Sequence, residues 1–108
     1  MGTTTGPVKH VVLFSFKETT TEETKAELIR GYEDLTTKID VMRHFEWGAD
    51  ISVEDLQGGF SHCFITTFDN VAGRDAYIPH EAHQAYVKVL LPHLEKLLVL
   101  DYVPEVVC

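Results

Sequence analysis

A chain of 108 residues, 44% of them hydrophobic, makes one domain with a modest core and is too apolar to be disordered. Nine basic residues against 17 acidic ones leave a net charge of -8, which excludes a nucleic-acid surface and docking on anionic lipid. No stretch is apolar for long enough to span a membrane, and two cysteines, Cys63 and Cys108, make no disulfide framework, so the expected setting is the reducing cytoplasm.

Residues 1–7 are expected to be a flexible Gly/Thr lead, without the apolar run and basic start of a signal peptide. The Met1-Gly2 start suggests myristoylation, but Gly6 stands where that motif wants Ser or Thr. Val8 to Phe16 reads as a strand with His10, Val12, Phe14 and Phe16 on one face and Val11 and Leu13 on the other. Both faces are therefore apolar. Thr20-Thr21-Glu22-Glu23 resembles a capping box with Thr20 at N-cap, and a helix should follow to about Leu35. Its stripe is Leu28, Tyr32, Leu35 and Ile39, and Gly31 weakens it.

A second strand is expected near Arg43 to Trp47, closed by Gly48, and residues 49–59 form a polar loop. The third strand is Phe60 to Phe68, with Phe60, His62, Phe64, Thr66 and Phe68 on one face. Asp69 or Asn70 caps a second helix, which breaks near Pro79 and resumes to about Leu91. Leu97 to Tyr102 is the last strand, and 105–108 is a short tail.

The order is β-α-β-β-α-β, an α+β arrangement of the ferredoxin-like type. Two helices cover one face of a four-stranded sheet. The other face, also apolar, needs a cover, and a second copy of the sheet is the simplest one. A homodimeric α+β barrel is the expected assembly.

The stretch Tyr77-Ile78-Pro79-His80-Glu81-Ala82-His83 places a phenol and two imidazoles in one short span. A phenol donates a proton to a carbonyl oxygen, and an imidazole removes a carbon-bound proton near neutral pH. Together they suit an enolisation or an aldol-type closure. His80-x-x-His83 also has the spacing of a metal pair, but too few further ligands accompany it.

Several patterns then line up in order. They are Val8-Lys9-His10, Tyr32, Phe45-Glu46-Trp47-Gly48-Ala49-Asp50, Gly59-Phe60-Ser61-His62, the Tyr77 to His83 stretch and Leu98-Val99-Leu100-Asp101-Tyr102. From about Val8 to Pro104 the chain resembles the stress-responsive A/B barrel family of dimeric α+β barrels. It is most similar to plant members, which include heat-stable proteins and a polyketide cyclase, so a single domain over residues 8–104 is expected. The resemblance implies a cofactor-free aldol closure of a linear poly-β-keto thioester to an aromatic acid, with His83 as base and Tyr77 holding the substrate oxygen. It implies a cavity between sheet and helices lined by His10, Val12, Phe14, Tyr32, Phe45, His62, Phe64, Leu97 and Val99. A type III polyketide synthase is the implied pathway partner, and the assembly is a dimer or a ring of dimers. The family also implies a structural cation such as Mg²⁺ on the backbone carbonyls of Thr36, Ile39 and Met42. The alternative within the same family is a non-enzymatic, heat-stable stress-response protein.

This sequence departs from the family segment Tyr-Ile-x-His-Pro-Ala-His: proline sits at Pro79, and Glu81 takes its usual place. Glu81 puts a carboxylate beside two histidines, a charge that raises imidazole pKa values. A bulky Phe64 is expected to shrink the cavity, and Glu33 to make part of its wall polar.

Overall fold

A computed structural model describes residues 6–106, so the expectations for residues 1–5 and for Cys108 lie outside the described residues. The elements are β1 (Val8–Phe16), α1 (Glu22–Lys38), β2 (His44–Ala49), β3 (His62–Phe68), α2 (Val71–Tyr77), α3 (Glu81–Leu90), a 3-10 turn (Leu91–His93) and β4 (Leu94–Tyr102). All strand pairs are antiparallel in the order β2-β3-β1-β4, the ferredoxin-like order expected from the sequence.

Local chemistry explains the boundaries. The cap of α1 is Thr21, not Thr20: the Thr24 N–H donates to Thr21 Oγ1 at 3.1 Å. Thr20 is buried instead, and its hydroxyl donates to the His93 carbonyl at 3.3 Å. The helix outlasts the expected Leu35 and ends at Lys38, with Glu22 and Glu23 at its N-terminus and Lys38 at its C-terminus, the signs the helix dipole favours. Gly31 does more than weaken α1. A Cβ there would lie 3.1 Å from Tyr86, so the glycine lets the Tyr86 ring close on the helix, where its hydroxyl donates to the Leu28 carbonyl at 2.6 Å.

Gly48 lies inside β2, paired with Cys63, and does not close it. Phe60 precedes β3 and packs under the Lys96 ammonium, outside the strand face assigned to it. The loop between β2 and β3 turns through positive φ at Asp55, Gly58 and Gly59. The break at Pro79 is as expected: Asn70 caps α2, and the His80 ring caps α3 by accepting the Ala82 N–H at 3.0 Å. β4 begins at Leu94, three residues before the expected Leu97.

The helices lie on one face of the sheet. Val8, Val12, Phe14, Phe64 and Phe68 from the sheet meet Leu28, Tyr32, Leu35 and Tyr77 in one buried core. The Cα trace measures 43 × 37 × 16 Å, and its short axis has room for one sheet and one helical layer only. The opposite sheet face therefore stands uncovered. Cross-strand register places Val11 beside Ile65 and Leu100, and Leu13 beside Cys63 and Leu98. Leu98 and Leu100 are 43% and 59% exposed, and a contiguous apolar face of this kind marks an interaction surface.

Candidate functional site

The helix break creates the site. Pro79 carries no N–H and ends α2, so the Ile78 carbonyl falls outside the helical ladder. His83 Nδ1 lies 2.8 Å from that carbonyl, and Gln84 Nε2 donates to the same oxygen at 2.7 Å. A carbonyl only accepts, so His83 carries its proton on Nδ1 and leaves Nε2 as the basic nitrogen. The shifted proline thus holds His83 beside Tyr77. Their rings lie 4.2 Å apart between centroids at 33°.

These side chains open into an apolar cavity of about 280 Å³ between β1, β4, α1 and α3. His10, Tyr32, Tyr77, His83 and Tyr86 supply its polar atoms, and Val12, Leu90, Leu97 and Val99 are among its apolar walls. The volume sits at the lower edge of ordinary ligand pockets, roughly 300–1,000 Å³. Other concavities, around Asp50, Asp40 and Glu18, are wider open, and none of them joins a histidine to a tyrosine.

Burial sets the protonation states. It pushes the Tyr77 phenol far above its ordinary value and raises Tyr32, which lies beside Tyr77 and Thr66, to about 12. Both phenols stay protonated and act as donors. Burial also lowers His83 below the ordinary imidazole value, with smaller contributions in the same direction from His10 and His80; the Ile78 carbonyl opposes it. The expected raising of His83 by Glu81 does not occur, because desolvation dominates and Glu81 is not among the causes. A ring-proton NMR titration of His83 is expected to give a midpoint below 6.5. The sign for stability follows: unfolded imidazole binds the proton more readily, so this contribution is present above the ordinary pKa and fades as pH falls toward the folded one. A midpoint above that of a free imidazole would contradict the assigned environment.

The structure brings His10, Val12, Tyr32, Leu97 and Val99 to the cavity with Tyr77 and His83. It does not bring the other four expected lining residues. Phe14 and Phe64 are fully buried and fill the space beside the cavity, their rings 4.8 Å apart. Phe45 packs on Tyr32 at 4.9 Å, behind the cavity wall. His62 lies beyond Phe14 and Phe64, its Nδ1 2.7 Å from the Ser61 hydroxyl. Glu33 is not a wall residue either; it is exposed and accepts the Trp47 indole N–H at 3.0 Å. His80 serves as a helix cap.

Sequence reasoning missed Tyr86, Val87 and Leu90, which α3 turns toward the cavity, and it gave no role to Arg74 and Asp101. The one available signal was Asp101, a single acid in an otherwise apolar strand end. The Thr36 carbonyl lies in the last turn of α1, where a helix leaves carbonyls unpaired, and those of Ile39 and Met42 lie just beyond it, although Ile39 already accepts the Met42 N–H at 3.2 Å. Hard oxygen donors of this kind fit a cation such as Mg²⁺.

Comparison with known proteins gives a consistent picture. The model of the Stress responsive A/B Barrel Domain matches residues 8–104. The stress-response A/B barrel domain-containing protein HS1 of Arabidopsis thaliana is 44% identical over 99 residues, covering 92% of this chain and 91% of that one. Olivetolic acid cyclase of Cannabis sativa is 35% identical over 98 residues, covering 91% and 97%. Among solved structures, a hydroxynitrile lyase from Passiflora edulis superposes with a TM-score of 0.89 at 27% identity, covering 94% and 95%. A dimeric protein of ferredoxin-like fold from Bacteroides fragilis superposes with a TM-score of 0.71 at 28% identity, covering 92% and 97%.

Proposed function

The chain belongs to the stress-responsive A/B barrel family, and from that premise we propose that its cavity is a cofactor-free cyclase-type site. The substrate class is a linear poly-β-keto thioester, supplied by a type III polyketide synthase, and the product is an aromatic acid. His83 Nε2 removes a proton from a methylene between two carbonyls. The electron pair moves onto the adjacent oxygen, which Tyr77 stabilises by donating its O–H. The enolate carbon attacks a second carbonyl of the same chain, and the alkoxide formed takes the proton back from His83; loss of water from this aldol and enolisation of the remaining ketones complete the aromatic ring, and hydrolysis of the thioester releases the thiol and leaves the acid. Apolar walls keep bulk water from the enolate, and the carbonyls of Thr36, Ile39 and Met42, in the last turn of α1 and just beyond it, hold a structural cation outside the reaction.

One observation carries this reading: a neutral imidazole, its proton held away on Nδ1, lies against a buried phenol donor in the wall of an apolar cavity. Two relatives named for enzymes, a cyclase and a lyase, share the fold and support an enzymatic use of it. The uncovered sheet face and the dimeric neighbour support a homodimer. Sedimentation at twice the 12.2 kDa chain mass tests the dimer, and a monomer contradicts it. The function is tested by incubating the protein with a type III polyketide synthase and resolving products by mass spectrometry. A new carboxylated aromatic product supports the reading. An unchanged mixture of pyrones and decarboxylated products, across several starter lengths, opposes it.

A second reading rests on the higher identity to HS1, 44% against 35% for the cyclase. It is a non-enzymatic, heat-stable stress-response protein. It predicts an unusually high melting temperature and no dependence of any phenotype on His83.

A further inference from the structure

We propose that Arg74 is a positioning residue: through Asp101 it holds His10 in one ring state and fixes the strand that carries His10 against the helix that carries Tyr77.

Arg74 lies one turn before Tyr77 on α2. Its Nη1 donates to Asp101 Oδ2 at 2.8 Å. The other oxygen, Asp101 Oδ1, meets His10 Nδ1 at 2.7 Å. His10 and Asp101 are direct cross-strand partners on β1 and β4. One carboxylate thus ties together the helix of Tyr77 and both strands of the cavity floor. Tyr77 completes the loop, its ring edge-on to His10 at 5.5 Å.

Two anchors matter because a carboxylate with one partner rotates. With Arg74 on one oxygen, the plane of Asp101 is fixed, and Oδ1 stays aimed at His10. His10 is then held as the Nδ1–H tautomer, leaving Nε2 as the nitrogen that meets a ligand. The pair is more than a surface ion pair. The Arg74 and Asp101 side chains are only 24% and 21% exposed, and His10 is 8% exposed. Arg74 also donates from Nε to Asp75 at 2.8 Å, so its own fork is held from two sides.

The consequence for turnover rests on the cyclase reading, whereas the consequence for His10 does not. The test records side-chain ¹⁵N–¹H correlation spectra of the histidines at a pH of about 8, where imidazoles are neutral. Wild type is expected to show His10 as the Nδ1–H tautomer alone. Arg74→Gln is expected to show both tautomers, and Arg74→Lys a spectrum close to wild type. His83 is held by the Ile78 carbonyl and stays unchanged throughout, which makes it the internal control. Arg74→Met keeps the aliphatic stem and is read the same way if the Gln variant does not fold. In the synthase-coupled assay, Arg74→Gln is expected to lose roughly tenfold in kcat, a fraction of a full acid–base contribution, with recovery in Arg74→Lys. An unchanged His10 spectrum in Arg74→Gln, or a changed spectrum with full kcat, overturns the proposal. The tautomer change without turnover in wild type leaves Arg74 in its role and counts against the cyclase reading alone.

Discussion

His83→Ala is expected to lower turnover by about 10²–10⁴-fold while the protein stays folded. The argument for the large kinetic effect is proximity: His83 packs against the Tyr77 ring at 4.2 Å, whereas His10 meets it edge-on at 5.5 Å with its ring fixed by Asp101, and His80 is taken up in capping α3. The argument for a small structural effect is local. The hydrogen bond that His83 makes is to the Ile78 carbonyl, and Gln84 still donates to that oxygen at 2.7 Å in its absence. Loss of one such bond costs about 1 kcal/mol, so the urea midpoint moves little. Initial rates in the coupled assay and a denaturation curve on the same preparation separate the two effects. Full activity in the folded variant would remove His83 from the mechanism.

Phe64→Ala is expected to have the largest effect on stability, about 3–5 kcal/mol. Phe64 is fully buried at the centre of a layer of rings. Phe14 and Tyr32 lie 4.8 and 4.9 Å away, and Trp47, Phe45 and His62 within 6.4 Å. Truncation removes one face from each of those contacts and leaves a void that the sheet backbone, locked by β1 and β2 on either side, fills poorly. Against a total of roughly 5–15 kcal/mol, the loss is about a third or more of the stability. Urea unfolding measures it, and a shift below about 1 kcal/mol would mean that the ring layer is loosely packed. The same substitution carries a functional consequence. Phe64 fills the space behind the lining residue Tyr32, on which it stacks at 4.9 Å, so a folded Phe64→Ala protein is expected to have a deeper cavity and to accept longer starter chains than wild type.

The fold was legible because its signals are local. Alternation in Val8 to Phe16 and in His62 to Phe68, the Asn70 cap and the Pro79 break each depend on a few neighbouring residues. The choice between Thr20 and Thr21 as cap was not, because it turns on which hydroxyl the 3-10 turn before β4 claims, a contact 73 residues away. The site divides along the same line. The Tyr77 and His83 pair was visible within one short segment. Which inward-facing residues line a void and which fill it was not. His10, Phe14, His62 and Phe64 share a sheet face, yet the aromatic rings close the half that carries Phe14, His62 and Phe64. The Arg74–Asp101–His10 chain was hidden for the same reason, since Asp101 meets His10 only through a strand pairing that spans 91 residues and Arg74 from a helix 27 residues away.

The central claim is that this cavity enolises a small carbonyl compound through His83 and Tyr77. The most direct measurement is ¹H NMR in D₂O of a short β-keto thioester, following loss of the methylene signal with wild type, with His83→Ala and in buffer. Exchange accelerated by wild type and returned to the buffer rate in His83→Ala is the predicted result. Exchange no faster with wild type than in buffer would contradict the account and leave the stress-protein reading in its place.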